Sequence, residues 1–577
     1  MTDDEAVAAL LEEFADRLEA TGVEYKPRAY RRAAENVRES PESVVELATG
    51  GPDAVADIDG VGEAISAKIV EYVETGTIEE LEELRSELPV EMDALTRIEG
   101  VGPKTVGALY RGLGIRTLDD LEAAAEAGEI RDLDGFGETT ESNILEGIPF
   151  AREAHERSLL SEARPRGEAV REYLTGFEAV TECELAGSIR RWSPTVGDVD
   201  VLAASEDGEA VVESFTDWPA VETVIEAGSG KASVRAGGVR VDLRVVGPEE
   251  FGATLQYFTG SKDHNVTLRN RAIDRGLKMN EYGAFDVPET DGEGQHAGQR
   301  VAGETEAGMY DAVGLSWIPP ELREDRGEVA AAATGELPDL LSRSDLRGDL
   351  HVHTDWSDGA ESVESMVAGA TAFGHEYVAI TDHATGPGMV GGVGLDDATL
   401  REQLPAVRAV AEDADIEVFA GVEANVAADG SVSVADEVLA DLDLVVASPH
   451  AALDGDGTDR LTAAARHPAV DILGHPTGRR INERAGLDPD IERIAAVAAS
   501  HDTALEINAA PGRLDLSGRD VQTALGAGAT VVVNTDAHRT RAFEHVRYGL
   551  HTARRGWAGP GDVLNTRDAA GVRDFLG

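Results

Sequence analysis

Through residue 150 the apolar positions recur at helical spacing, and the helices are broken by one repeated hairpin. It occurs as Ile58-Asp-Gly-Val-Gly62, Ile98-Glu-Gly-Val-Gly102 and Leu133-Asp-Gly-Phe-Gly137, each opening a helical segment. From 151 to 248 the pattern shortens to strands with clean alternation, as in Val239-Arg-Val-Asp-Leu-Arg-Val245. Residues 249–318 mix helix and hairpin signals. Residues 319–345, from Pro319-Pro320 through an Ala-rich run, read as a linker or tether. After Leu346, apolar strands alternate with helices in a β/α repeat.

A chain of 577 residues with 42% hydrophobic content supports several cores. No apolar run reaches transmembrane length, and the acidic start lacks the basic and apolar regions of a signal peptide. Cys183, the single cysteine, excludes an internal disulfide and a cysteine-based zinc site. The expectation is a soluble cytoplasmic protein with no membrane partner.

The formal charge of −59, with only six lysines among 51 basic residues, argues by itself against nucleic-acid binding. The acid is spread evenly among well-patterned apolar residues, however, which suits a halophile's salt-loaded cytoplasm. At molar salt the Debye length is about 3 Å, so global repulsion of DNA fades and local contacts decide binding.

In the hairpins, Gly60, Gly100 and Gly135 permit a tight turn. Gly62, Gly102 and Gly137 then open a helix whose free N–H groups suit an anion. A single copy is as readily a packing corner; three copies favour phosphate binding. The pattern resembles the helix-hairpin-helix motif, which grips DNA backbone phosphates. Gly228-Ser-Gly-Lys231 lacks the Ser/Thr and the glycine spacing of a phosphate loop.

Gly187-Ser-Ile-Arg-Arg191 precedes Asp198-Val-Asp200-Val-Leu. On a strand, Asp198 and Asp200 share one face while Val199 and Val201 take the other. Asp242 lies on a second strand, between Arg240 and Arg244. Three clustered carboxylates repel unless cations neutralise them, and two hard divalent ions suit nucleotidyl transfer. Gly187 and Ser188 offer an N–H and a hydroxyl to phosphate, with Arg191 beside them. Asp-x-Asp alone is more often a solvated strand edge; the neighbours change that balance.

These residues resemble the signature of the family X DNA polymerases, over residues 1 to about 320. The resemblance implies that Asp198, Asp200 and Asp242 hold two Mg²⁺ or Mn²⁺ ions, with Arg240 in support. Tyr257-Phe-Thr-Gly-Ser-Lys-Asp-His-Asn265 resembles the family's nucleotide pocket. Tyr257 and Phe258 would then line the sugar of a dNTP, Gly260 would belong to the same nucleotide-binding segment, Asn265 would meet the base, and Arg269 would face the template. Lys68 falls at the family's Schiff-base lysine, with Lys26 and Tyr30 in supporting positions. A primary amine there fits lyase chemistry, which arginine cannot supply, but another family lysine is replaced by Ala64.

Eleven of the 14 histidines lie beyond Leu346. Apolar strands deliver His351, His353 and Asp358, then His383, Glu423, His450, His475, and finally Asp536 and His538. In a β/α barrel such strand ends converge on one rim. Imidazole and carboxylate ligands suit Zn²⁺, Mn²⁺ or Fe²⁺, and nine of them imply two or three ions. His375, His467, His501, His545 and His551 are read as structural. The signatures resemble the PHP domain, which implies a distorted seven-stranded barrel, a trinuclear site, 3′–5′ exonuclease or 3′-end processing, and abasic-site endonuclease activity.

The expected architecture is multidomain. A helix-hairpin-helix lyase-like domain (1–85) and a second helix-hairpin-helix subdomain (86–150) precede an α+β palm (151–248). A small α/β nucleotide-selection subdomain (249–318), a linker (319–345) and a (β/α)7 barrel (346–577) follow. The expected function is gap filling in DNA repair, on gapped or primer-template DNA, by a monomer. The alternative is a phosphatase for small phosphate esters, with the polymerase half as scaffold.

Overall fold

The computed structural model describes residues 4–577 except 24, 41–42, 57, 59, 99, 134, 288–294, 297 and 387–392. It divides into two compact units, Met1–Arg157 with Asn482–Arg484, and Ser158–Ile481 with Ala485–Gly577.

The first unit is helical, with two apolar clusters. One is built around Leu11, Phe14, Tyr30 and Ile69, and Phe14 stacks on Tyr30 at 4.5 Å. The other gathers Leu95, Ile98, Val106, Leu109 and Ile144. The three hairpins repeat one backbone geometry. Gly60, Gly100 and Gly135 sit at φ of 73°, 80° and 89°, where a side chain is strained. Gly62, Gly102 and Gly137 are extended caps of helices Glu63–Thr75, Pro103–Leu113 and Glu138–Glu156. In each turn the residue between the glycines donates its N–H to the carbonyl of Ile58, Ile98 or Leu133. The hairpin residues Asp59, Glu99 and Asp134 lie outside the described set.

In the second unit, a five-stranded sheet has the order Glu182–Leu185, Val199–Ala204, Val239–Val246, Lys231–Ala236, Thr223–Ala227. Its second and third strands are parallel and its other pairings antiparallel. Val199, Val201 and Leu243 bury one face with Val170, Leu174 and Phe215, from helices Leu160–Thr175 and Gly208–Thr216. Leu202 and Ala204 turn the other face toward Phe251 and Leu255 of helix Phe251–Thr259. Strand alternation therefore points Asp200 away from the Val199–Val201 core. Gly228-Ser-Gly-Lys231 joins two antiparallel strands of this sheet and opens no helix. Helix Lys262–Ile273 and a three-stranded antiparallel sheet follow.

Residues 319–345 read as a tether in sequence, but the structure folds them into the unit. Arg323 is fully buried and donates to Glu306 at 2.6 Å. Glu321 accepts from Arg554 at 2.7 Å and lies 2.8 Å from His551. Helix Glu328–Thr334 brings Glu328 to 2.6 Å from His264. Charged, Ala-rich composition resembles a solvated linker, and the pairing that buries these charges is invisible in a local pattern.

The remaining residues form a seven-stranded parallel sheet whose strands follow chain order. The strands are Gly348–Val352, Tyr377–Ile380, Glu417–Asn425, Leu444–Ser448, Ile472–Leu473, Ala504–Asn508 and Val531–Asn534. A parallel bridge from Val352 to Ala537 brings the last strand's exit back to the first, so the barrel is nearly closed. The strand residues are almost all buried, as expected with helices outside and side chains within.

Candidate metal centres of the palm and the barrel

In the palm, Asp200 and Asp242 occupy directly paired positions of the parallel strands. Burial, then the charges of Asp198 and Asp242, push the Asp200 carboxyl up to about 7. Arg240 Nε donates to Asp242 at 2.9 Å. Gly187, at φ 58°, packs so tightly against the Asp200 carboxylate that a Cβ would overlap it. The expected trio is therefore together, in a form that a divalent cation relieves.

Arg191 is engaged by protein groups. Its Nη1 donates to the Thr259 carbonyl at 2.8 Å, and its Nε to Glu324 at 3.0 Å. Arg190 pairs with both Glu306 oxygens, at 2.7 and 2.8 Å. These bonds dock the Gly187–Arg191 segment, including the half-buried Ser188, on the end of helix Phe251–Thr259. There Tyr257 and Phe258 meet edge to face, with centroids 5.5 Å apart. Asn265 Nδ2 donates to the Tyr257 carbonyl at 2.7 Å across Gly260, and its Oδ1 accepts from Gln256 at 2.9 Å. Arg269 is exposed on the same helix as Asn265.

In the first unit, Lys68 lies against the Phe14 ring, 5.2 Å from its centroid, and donates to Glu80. Tyr30 is buried on the same ring and its hydroxyl is pushed up to about 12, by burial and by Glu80. Lys26 is exposed at the first position of its helix.

At the barrel rim all nine expected residues converge. Glu423 is their hub. Its oxygens lie 2.6 Å from His383 Nδ1, 3.0 Å from His475 Nε2, 3.3 Å from His450 Nε2 and 3.5 Å from His351 Nε2. Asp536 approaches His353 Nε2 at 3.1 Å, and Asp358 lies 3.3 Å from both His383 and His538. Three groups have one ligand atom per residue within 4.8 Å of the others: His353, Asp358, His383 and His538; His351, His353 and Glu423; His383, Glu423 and His450. Many of these atoms are buried without a hydrogen bond, including His351 Nε2, both His353 nitrogens, His450 Nε2 and both Glu423 oxygens. Orphaned imidazole nitrogens and carboxylate oxygens aimed at one another fit cations between them.

Electrostatics agree. Burial opposes charge on Glu423, yet His383, His450 and His351 hold it well below the ordinary carboxylate range. His383 is opposed by burial but raised to about 10 by Glu423 and Asp358. His353 falls to about 4, through burial and the neighbouring His538 and His383. His475 and Asp536 sit at φ of 24° and 55°, so two strand-end residues hold sparsely populated backbone.

Comparison with known proteins fits both centres. Residues 3–78 match a helix-hairpin-helix domain and residues 92–148 a SAM-like helix-hairpin-helix tandem. Residues 254–324 match the DNA polymerase beta thumb, and residues 349–510 the PHP domain. DNA polymerase/3′-5′ exonuclease PolX of Bacillus subtilis is 34% identical over 578 residues, covering 99% of this chain and 98% of that protein. The chain belongs to the family X DNA polymerases that carry a PHP domain. Two further DNA polymerases align with about half of the chain. Rat DNA polymerase lambda is 27% identical (46% of this chain, 48% of that protein), and the Arabidopsis thaliana lambda enzyme is 25% identical (53% and 59%). The similarity to the Bacillus family member spans palm and barrel alike, so a small-ester phosphatase on a polymerase scaffold is not favoured. Among the described residues no helix is long and apolar enough to cross a membrane.

Sequence reasoning about this family X chain missed the sixth barrel strand and its Glu506. Glu506 is fully buried, and its Oε1 lies 2.7 Å from His351 Nδ1 while Oε2 accepts from the His475 N–H at 2.7 Å. A glutamate inside the apolar run Thr503-Ala-Leu-Glu-Ile-Asn508 was the available signal. Of the five histidines read as structural, His551 stacks on Trp192 at 3.5 Å and is held by Glu321, and His375 is buried between Phe373 and Phe543.

Proposed function

We propose that this chain fills short gaps in DNA at the palm and trims 3′ ends at the barrel, as a soluble repair enzyme of the cytoplasm. The in-register pair Asp200 and Asp242 carries the polymerase half of this reading. Asp198, Asp200 and Asp242 would hold two Mg²⁺ or Mn²⁺ ions, which supply charge to activate a primer hydroxyl and neutralise the departing pyrophosphate. Gly187 sets the distance between the phosphate-binding turn and Asp200. The bonds from Arg190 and Arg191 to Thr259 fix that turn against the nucleotide-selection helix, where Tyr257 and Phe258 would face the sugar of a dNTP.

The barrel cluster would hold two or three ions of Mn²⁺, Zn²⁺ or Fe²⁺, which supply Lewis-acid charge for phosphodiester hydrolysis. Glu423 is shared by two of the three candidate groups, and Glu506 orients His351 through its second nitrogen. The hairpin glycines present backbone N–H groups to DNA phosphates, a contact that needs no lysine and so suits this acidic chain.

The test is primer extension on gapped DNA with Mn²⁺ in high salt. Loss of extension in Asp200→Ala and Asp242→Ala supports the palm assignment, and undiminished extension in Asp200→Ala refutes it.

A further inference from the structure

Within the second unit, between the palm and the barrel, lies a cavity of about 410 Å³. Arg326, Arg479, Arg519 and Arg555 line it together with Ser517, and Glu324 is the one carboxylate among its described lining residues. None of the palm trio or the nine barrel residues lines it.

The four guanidinium groups are poorly neutralised. Arg479 spends Nε on the Arg513 carbonyl at 2.8 Å and Nη2 on the Leu514 carbonyl, both neutral acceptors. Arg326 Nη2 donates to the Arg555 carbonyl at 2.6 Å, while its Nε is buried without a partner. Arg519 is exposed, and among the described residues its guanidinium makes no hydrogen bond or ion pair; its backbone carbonyl accepts from Thr523 Oγ1 at 3.2 Å. Arg555 pairs with Glu324 at 3.0 Å, but Glu324 is also held by Arg191 at 3.0 Å. Burial depresses Arg479, Arg326 and Arg555 below the ordinary arginine value, and Asp515 and Asp520 near Arg479, Glu324 and Glu328 near Arg326, and Glu324 near Arg555 do not offset this.

Half-buried cations such as Arg326, Arg479 and Arg555, left short of counter-charge, are costly unless a ligand supplies it. Helix Gly518–Gly526 also starts at the cavity wall, with Ser517 as its cap, and adds the positive end of its dipole. In a chain of net charge −59, so cationic a hollow is out of character with its surroundings.

We propose that this cavity binds a compact oxyanion of the phosphate or pyrophosphate class, held by Arg326, Arg479, Arg519 and Arg555. Forked guanidinium donors suit such oxygens bidentately. The anion is either free in solution or a phosphate of a bound DNA strand; both present the same oxygens. The site needs no metal, which separates it from the palm and the barrel.

The test is calorimetric titration of the full-length protein, stripped of metals, with sodium pyrophosphate and with inorganic phosphate. One equivalent is expected to bind, at least tenfold more weakly in Arg519→Ala and in Arg326→Gln, and unchanged in Asp200→Ala. Arg519 is exposed, so its variant folds and keeps the test decisive. Competition by a short single-stranded oligonucleotide that Arg519→Ala abolishes assigns the site to a strand phosphate; no competition assigns it to the free anion. Absence of metal-independent binding, or equal affinity in Arg519→Ala and wild type, overturns the proposal.

Discussion

Glu506 Oε1 lies 2.7 Å from Nδ1 of His351, at the bottom of the barrel cluster. This leaves His351 Nε2 directed at Glu423 and Asp536, 3.5 and 3.8 Å away. A carboxylate behind a ligating imidazole fixes its ring and raises its basicity. Glu506→Gln is expected to weaken metal binding by the barrel roughly 10- to 100-fold, the usual cost of such a partner. Metal titration of the variant checks this, with primer extension unchanged as the control.

That residue also shows where the sequence stops being legible. Candidate ligands at strand ends announce themselves by residue type, so the convergence of His351, His353, His383, Glu423 and Asp536 on one rim could be expected before any fold was known. Glu506 sits inside a strand, and its role exists only because neighbouring strands bring His351 and His475 to it. The Asp200–Asp242 pair was foreseeable for the opposite reason: strand alternation gives the face, though not the register that sets them side by side. The stretch 319–345 was misread because buried ion pairs such as Arg323 with Glu306 join residues from separate elements.

Asp200 has a folded-state pKa raised to about 7, by burial and by Asp198 and Asp242. A carboxyl raised in this way costs stability, little near pH 4 and increasingly as pH climbs to about 7. Asp200→Asn is expected to raise the melting temperature of the metal-free protein by a few degrees at pH 8 and not at pH 4. Thermal scans at both values check it, and added Mn²⁺ should narrow the difference.

Glu306 runs the other way. Burial alone would raise it, but Arg323 and Arg190 outweigh burial and bring it to about 2. Its contribution is fully present above the unfolded value of 4.5 and is lost as pH falls toward about 2. Acid unfolding of Glu306→Gln, compared with wild type, should differ most above pH 4.5 and converge near pH 2. A constant offset across that window contradicts the assignment.

Lys68 donates to Glu80, so an amine attacking a sugar aldehyde must first leave that carboxylate. Borohydride trapping on abasic-site DNA is expected to rise in Glu80→Gln and vanish in Lys68→Ala. Equal trapping in Lys68→Ala and wild type excludes this lysine as the nucleophile.

The most direct measurement follows both activities of one preparation on a single gapped substrate labelled at the primer's 5′ end. His353→Ala is expected to abolish shortening of the primer and leave extension within about twofold of wild type, while Asp242→Ala does the reverse. Loss of both activities in either folded variant, or of neither in both, contradicts two separate metal centres.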